Sequence, residues 1–172
     1  MRSSLLLCVA LPLVACTGGH VAAPGDSVFT ADVRKLTLEN RGGGFGPLLP
    51  PGAACDPQPA TYTLTIVGHQ LASEYCQVTG SGSTATYTPR SGVRALGDDE
   101  WSALVPTLAA LIVSDATTCG ADKPVLALIV TTGEGDREYG DDFYACRDRS
   151  KPYIISHALD SAQQALGELA RK

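Results

Sequence analysis

Three histidines and a crowd of carboxylates are the residues from which chemistry could be built in this 172-residue chain. Nucleophilic catalysis needs a serine or cysteine within hydrogen-bond reach of a base, with a carboxylate orienting that base. His20 falls in a Gly/Pro/Ser-rich stretch, His69 follows Gly68 in a turn, and His157 stands early in a terminal helix. No Gly-x-Ser-x-Gly occurs, and Gly80-Ser81-Gly82 reads as a hairpin turn. His157 is the histidine on which a hydrolase could be built, and a surface position on its helix is the expectation. Glu134, Asp136, Glu138, Asp141 and Asp142 crowd one short stretch with only Arg137 to offset them. Oxygen ligands at alternating positions could hold calcium, but glycine is misplaced for an EF-hand and no glutamate closes the loop. A solvated turn is expected there, with no metal. The glycine-rich run Gly42–Gly46 lacks the Lys-Ser/Thr of a phosphate loop and opens no helix. The residues therefore predict no catalytic group, no cofactor and no metal site.

The start of the chain is more specific. Met1-Arg2-Ser3-Ser4 is a weakly basic opening to the apolar run Leu5–Val14. That run is too short for a bilayer core, which needs about 20 residues as a helix, so it reads as the core of a secretory signal. It ends in Leu13-Val14-Ala15-Cys16, which resembles the lipobox of bacterial lipoproteins. The resemblance implies cleavage before Cys16, a diacylglyceryl group on its sulfur and, in many bacteria, acylation of the new N-terminus. A cut elsewhere suits the sequence poorly, because Ala22-Ala23 is followed by Pro24. Two or three acyl chains at about 0.8 kcal/mol per buried methylene anchor a protein stably. Thr17 is not the aspartate that retains many enterobacterial lipoproteins, so the outer membrane is expected over the inner one. Residues 1–15 are then a signal peptide, 16–27 a lipidated tether and 28–172 a single domain. The formal charge of −5 becomes −6 without Arg2, which excludes an electrostatic footprint for nucleic acid.

With Cys8 lost in the signal and Cys16 lipidated, Cys55, Cys76, Cys119 and Cys146 remain. None is spaced two to four residues from another, as zinc ligands usually are, and no Cys-x-x-Cys exists. In an exported chain the four imply two disulfides, with three connectivities open. A type II′ turn at Gly68-His69 would set Thr61 opposite Cys76, from which Asp56-Pro-Gln-Pro59 can bend back to Cys55. Pairing Gly133 with Asp136 would set Lys123 opposite Cys146, four residues after Cys119. Cys55–Cys76 and Cys119–Cys146 are the pairs expected.

Other elements follow from periodicity. Val28–Leu38 is strand-like, and residues 41–54 form a Gly/Pro-rich loop. Thr61–Val67 alternates Tyr62, Leu64 and Ile66 against threonines. Its hairpin partner is Gln70–Val78, with Tyr75 opposite Tyr62 and Leu71 opposite Ile66 in the type II′ register. Thr84–Tyr87 and Val93–Leu96 read as short strands. Asp98-Asp99-Glu100 opens a helix with the stripe Trp101, Leu104, Val105, Leu108, Leu111 and Ile112, which Pro106 should kink or split. Val125–Val130 reads as a central strand, Gly133–Asp136 as a turn and Glu138–Cys146 as the returning strand. A last amphipathic helix carries Ile155, Ala158, Leu159, Ala162, Leu166 and Leu169. Strands, helix, hairpin, helix predict an α+β domain with two helices packed on one face of an antiparallel sheet. This layout, with GGGFGP before a cysteine and a threonine-rich strand, resembles uncharacterised exported bacterial domains, a resemblance that carries no catalytic residue.

The expected function is that of a non-enzymatic, lipid-anchored envelope module for binding or assembly. Its partners would be the membrane, through lipid on Cys16, and an unidentified envelope protein or ligand. Two rivals stand beside it. A protease inhibitor could use loop 41–54, where Phe45-Gly-Pro-Leu-Leu-Pro-Pro is stiff and close to Cys55, since rigid loops lose less entropy on binding. A hydrolase would have to use His157.

Overall fold

A computed structural model of the protein describes residues 22–43, 49–116, 120, 122–147 and 150–172. The elements run β1 (Lys35–Asn40), β2 (Ala60–Thr65), β3 (Gln70–Thr79), β4 (Thr86–Ala95), α1 (Asp98–Ala109), β5 (Val113–Ser114), β6 (Leu126–Thr132), β7 (Gly135–Asp141), β8 (Tyr153–Ile154) and α2 (Ser156–Ala170). All strands join one sheet in the order β4-β3-β2-β1-β6-β7-β8-β5. Every pairing is antiparallel except the short β7–β8 one. The α+β class follows directly.

Alternation decides which face is covered. Leu36, Leu38, Tyr62, Leu64, Leu71, Leu126, Leu128 and Val130 all turn to one side and are buried. α2 lays Ala158, Leu159, Ala162, Leu166 and Leu169 there, and α1 adds Leu104 and Leu108. Gly167 lets α2 come close to the sheet, since a Cβ there would sit 3.1 Å from the Tyr62 hydroxyl. The opposite face carries Thr37, Thr61, Thr63, Thr65 and Thr131, and no described helix covers it. Cys76, five residues from Leu71, turns to this second face, where its bridge to Cys55 fastens the chain that leads into β2. Tyr153 lies across Gly140 on the same face, so that a Cβ at 140 would meet its ring at 2.6 Å. Because Tyr153 is buried, Gly140→Ala should destabilise the fold by about 1–3 kcal/mol. Urea denaturation checks this, and an unchanged midpoint would contradict the packing.

Several expectations need correction. The β2–β3 turn has four residues, Ile66–His69, with Gly68 and His69 both at positive φ (83° and 47°), which is not a type II′ geometry. Tyr75 therefore pairs with Ala60 and Leu71 with Leu64. The slip is two residues, which leaves every side chain on its expected face, because only odd slips exchange faces. The β6–β7 turn keeps the expected two residues but sits one position earlier: Thr132 pairs with Gly135, so Gly133 and Glu134 make the turn. That hairpin also slips by two. β7 stops at Asp141 and the chain turns through a short 3-10 segment, Asp142–Tyr144, so Cys146 lies outside any strand. Where two short strands were expected near 84–96, β4 runs unbroken over ten residues, because β3 offers it a partner throughout. α1 passes over Pro106 without a break and ends before Leu111 and Ile112. Gly97, not an aspartate, is its N-cap; Glu100 returns a carboxylate oxygen to the Gly97 N–H at 3.2 Å.

Two further differences bear on the site. Val28–Arg34 forms no strand; β1 begins at Lys35. Residues 22–27, read above as the end of the tether, dock on the fold. Gly25 N–H donates to Val113 O, Val113 N–H to Asp26 O and Val28 N–H to Leu111 O, all at 2.9 Å. One disulfide has both partners among the described residues, Cys55–Cys76, with Cα atoms 5.8 Å apart. Cys146 is disulfide-bonded as well, but Cys119, the partner expected for it, lies outside the described residues.

Candidate functional site

A cleft of about 620 Å³ opens between the entering segment 22–32 and the β6–β7 hairpin. Sequence reasoning did not find it, because it exists only once residues 25–28 dock against 111–113. Val130 and Tyr139, from neighbouring strands, supply apolar floor, and Val28 faces them from the entering segment. The rim is charged: Asp26, Asp32 and Glu134 are exposed, against the single guanidinium of Arg137. Asp26 and Asp32 are held locally, one accepting from Ala23 N–H at 2.9 Å and the other from the Thr30 hydroxyl at 2.5 Å. Glu134 lies at the tip of the hairpin turn.

The five clustered acids do not converge on a metal, because they leave the hairpin in different directions. Asp136 accepts from the Thr131 hydroxyl at 2.6 Å on the uncovered face. Glu138 pairs there with Arg41 and Lys151, both at 3.0 Å, and their ammonium and guanidinium groups hold its carboxyl below the usual range, Arg41 contributing most. Asp141 turns inward and is buried. Asp142 caps α2, accepting from Ser156 N–H at 2.8 Å and from the Ser114 hydroxyl at 2.7 Å. Among the described residues no three His, Cys, Asp or Glu side chains are placed to hold a metal ion.

The densest polar cluster surrounds Lys123, which sequence reasoning passed over. Its ammonium lies 2.6 Å from Ser156 Oγ, 2.7 Å from Asp160 Oδ1 and 2.8 Å from Asp141 Oδ2. The last contact is electrostatic, since Asp141 Oδ2 receives no well-aligned hydrogen bond. Tyr144 donates its hydroxyl to Lys123 O. A serine beside a lysine is an arrangement for nucleophilic catalysis, but only if the lysine is neutral and can take the proton. Here burial works to lower the Lys123 pKa, and Asp141 and Asp160 outweigh it, holding the group above its ordinary value. The ammonium stays charged, and Ser156 receives a donor where a base would be required. The cluster ties the chain before β6 to the N-terminus of α2; it is a structural pin.

The histidines are equally plain. His157 is exposed on α2, where its carbonyl accepts from the Ser161 hydroxyl at 2.8 Å. His69 stacks on Trp101, ring centroids 4.0 Å apart, and Trp101 also meets Phe29 edge-on at 6.4 Å. His20 lies outside the described residues, as does Cys16. Of loop 41–54, residues 44–48 are likewise outside; Gly42 N–H donates to Asn40 Oδ1 at 2.9 Å and Leu49 is exposed. No helix among the described residues is long and apolar enough to cross a membrane. No family model matches the chain, and neither a curated relative nor a solved structure is significantly similar to it.

Proposed function

We propose that this protein is a lipid-anchored cell-envelope lipoprotein whose domain is a non-enzymatic binding module, with the outer membrane favoured by Thr17. Its address is read from the signal core and from Leu13-Val14-Ala15-Cys16. The observation that carries the binding role is the placement of the cleft at the point where the tether meets the fold, with Ala22 in its lining. Six residues from Cys16 to Ala22 reach at most about 20 Å when extended, so the cleft would work close to the membrane surface. A second bridge, Cys119–Cys146, belongs to the same reading: the sequential pairing expected for Cys55–Cys76 leaves these two cysteines for each other. An inhibitor on loop 41–54 draws support only from its Cys55-fastened stem, and a hydrolase on His157 has no described nucleophile hydrogen-bonded to that imidazole.

Cys16→Ser tests the anchor. The variant should leave the membrane fraction or accumulate uncleaved, and crosslinking in intact cells should join the wild-type chain, not the released one, to an envelope neighbour. A variant that stays membrane-bound with normal processing would end the lipoprotein reading.

A further inference from the structure

The edge of β7 beside the cleft has backbone groups without a partner among the described residues. Arg34 N–H donates to Thr131 O at 2.8 Å, so the backbone groups of Thr131 point toward β1 and away from β7. Its partner Asp136 then points away from β6, and so does Glu138 two residues on. The register at the other end agrees, for Gly140 N–H, in the same phase, donates outward to Pro152 O at 2.9 Å. β8 pairs with Gly140 and Asp141 only, which leaves the outward N–H and C=O groups of Asp136 and Glu138 with no described strand beside them. Asp136 lines the cleft although its side chain is bonded to Thr131 on the opposite face, so what it offers the cleft is this backbone.

We infer that the cleft is a docking site for an extended, cationic peptide segment of a partner protein, added as a strand to the free edge of β7. Strand addition uses main-chain bonds for affinity and alternate side chains for selectivity. The cleft volume lies within the roughly 300–1,000 Å³ range of ligand-holding sites. Guest side chains turned inward meet Val130, Tyr139 and Val28, while Asp26, Asp32 and Glu134 select positive charge at the rim. The same charges argue against a second copy of β7 as the guest, since Asp136 and Glu138 would then face their own kind. The inference deepens the binding role proposed above and does not depend on the lipid, so its test is independent of the Cys16 result.

The test is an NMR titration of the full isotope-labelled chain in detergent with the capped peptide acetyl-Lys-Val-Lys-Val-Lys-amide and its glutamate counterpart. The lysine peptide should shift the Asp136 and Glu138 amides most strongly and bind with strong salt dependence; the glutamate peptide should not bind. Asp136→Pro, which removes one edge N–H, should weaken binding about tenfold, while Asp136→Ala, which keeps that N–H, should bind as the wild type does. Replacing Asp26 and Asp32 by Asn and Glu134 by Gln should weaken binding severalfold and flatten the salt dependence. Should Asp136→Pro not fold, the shift map of the wild-type chain decides. No binding at millimolar peptide, equal binding of the glutamate peptide, or shifts away from β7 would each overturn the inference.

Discussion

Lys123→Met should destabilise the fold by about 3 kcal/mol. Removing one partner of a buried ion pair strands the other, and Asp141 has a fully buried side chain. Once Lys123 is gone, the hydrogen bond left to Asp141 among the described residues comes from the Phe143 N–H, which donates to its Oδ1 at 3.0 Å. Asp160, half exposed, rehydrates easily and adds little. The wild-type pair has its own signature at the alkaline end. Lys123 has a pKa raised by folding, so its contribution is complete below the unfolded lysine value and is lost as pH rises through the folded one. Urea titrations of both proteins from neutrality into the alkaline range measure this; a loss under about 1 kcal/mol at pH 7 would show that the cluster does not hold β6 to α2.

Replacing Cys55 and Cys76 together by alanine should cost about 3 kcal/mol, as the bridge closes a loop with a sequence separation of 21. The loop contains β2, the β2–β3 turn and β3 as far as Cys76, so the bridge also limits how far the 55–59 segment can leave the uncovered face. Reductant should lower the wild-type midpoint more than the variant's, because the variant has already lost the Cys55–Cys76 bridge and retains that of Cys146. Equal midpoints for the two oxidised proteins would contradict a stabilising role.

These effects divide by how far the sequence revealed their cause. Which residues face the helices was legible from alternation in β1 and β2 and from the periodic stripes of α1 and α2, because side-chain period is local. The Cys55–Cys76 pair was legible for a related reason. Both hairpin registers were set two residues off, and a slip of two changes neither face nor rough proximity. Turn length was not legible, since Gly68-His69 has the chemistry of a two-residue turn and positive φ at both positions would suit one as well; only the pairing of Thr65 with Gln70 makes the loop four residues long. The two-residue strands β5 and β8 are too short to show any period. The cleft and the Lys123 cluster were invisible for a deeper reason: their members come from segments tens of residues apart that only the topology brings together. Lys123, Asp141 and Asp160 carry no shared spacing. The acidic stretch, conspicuous in sequence, proved to be five separate arrangements.

The membrane anchor at Cys16 is the claim on which the cellular role depends, and intact-mass measurement of the protein from the membrane fraction tests it most directly. The chain should begin at Cys16 and carry the added mass of a diacylglyceryl group, with or without a further acyl chain. A chain that retains residues 1–15, or begins elsewhere without lipid, would contradict it.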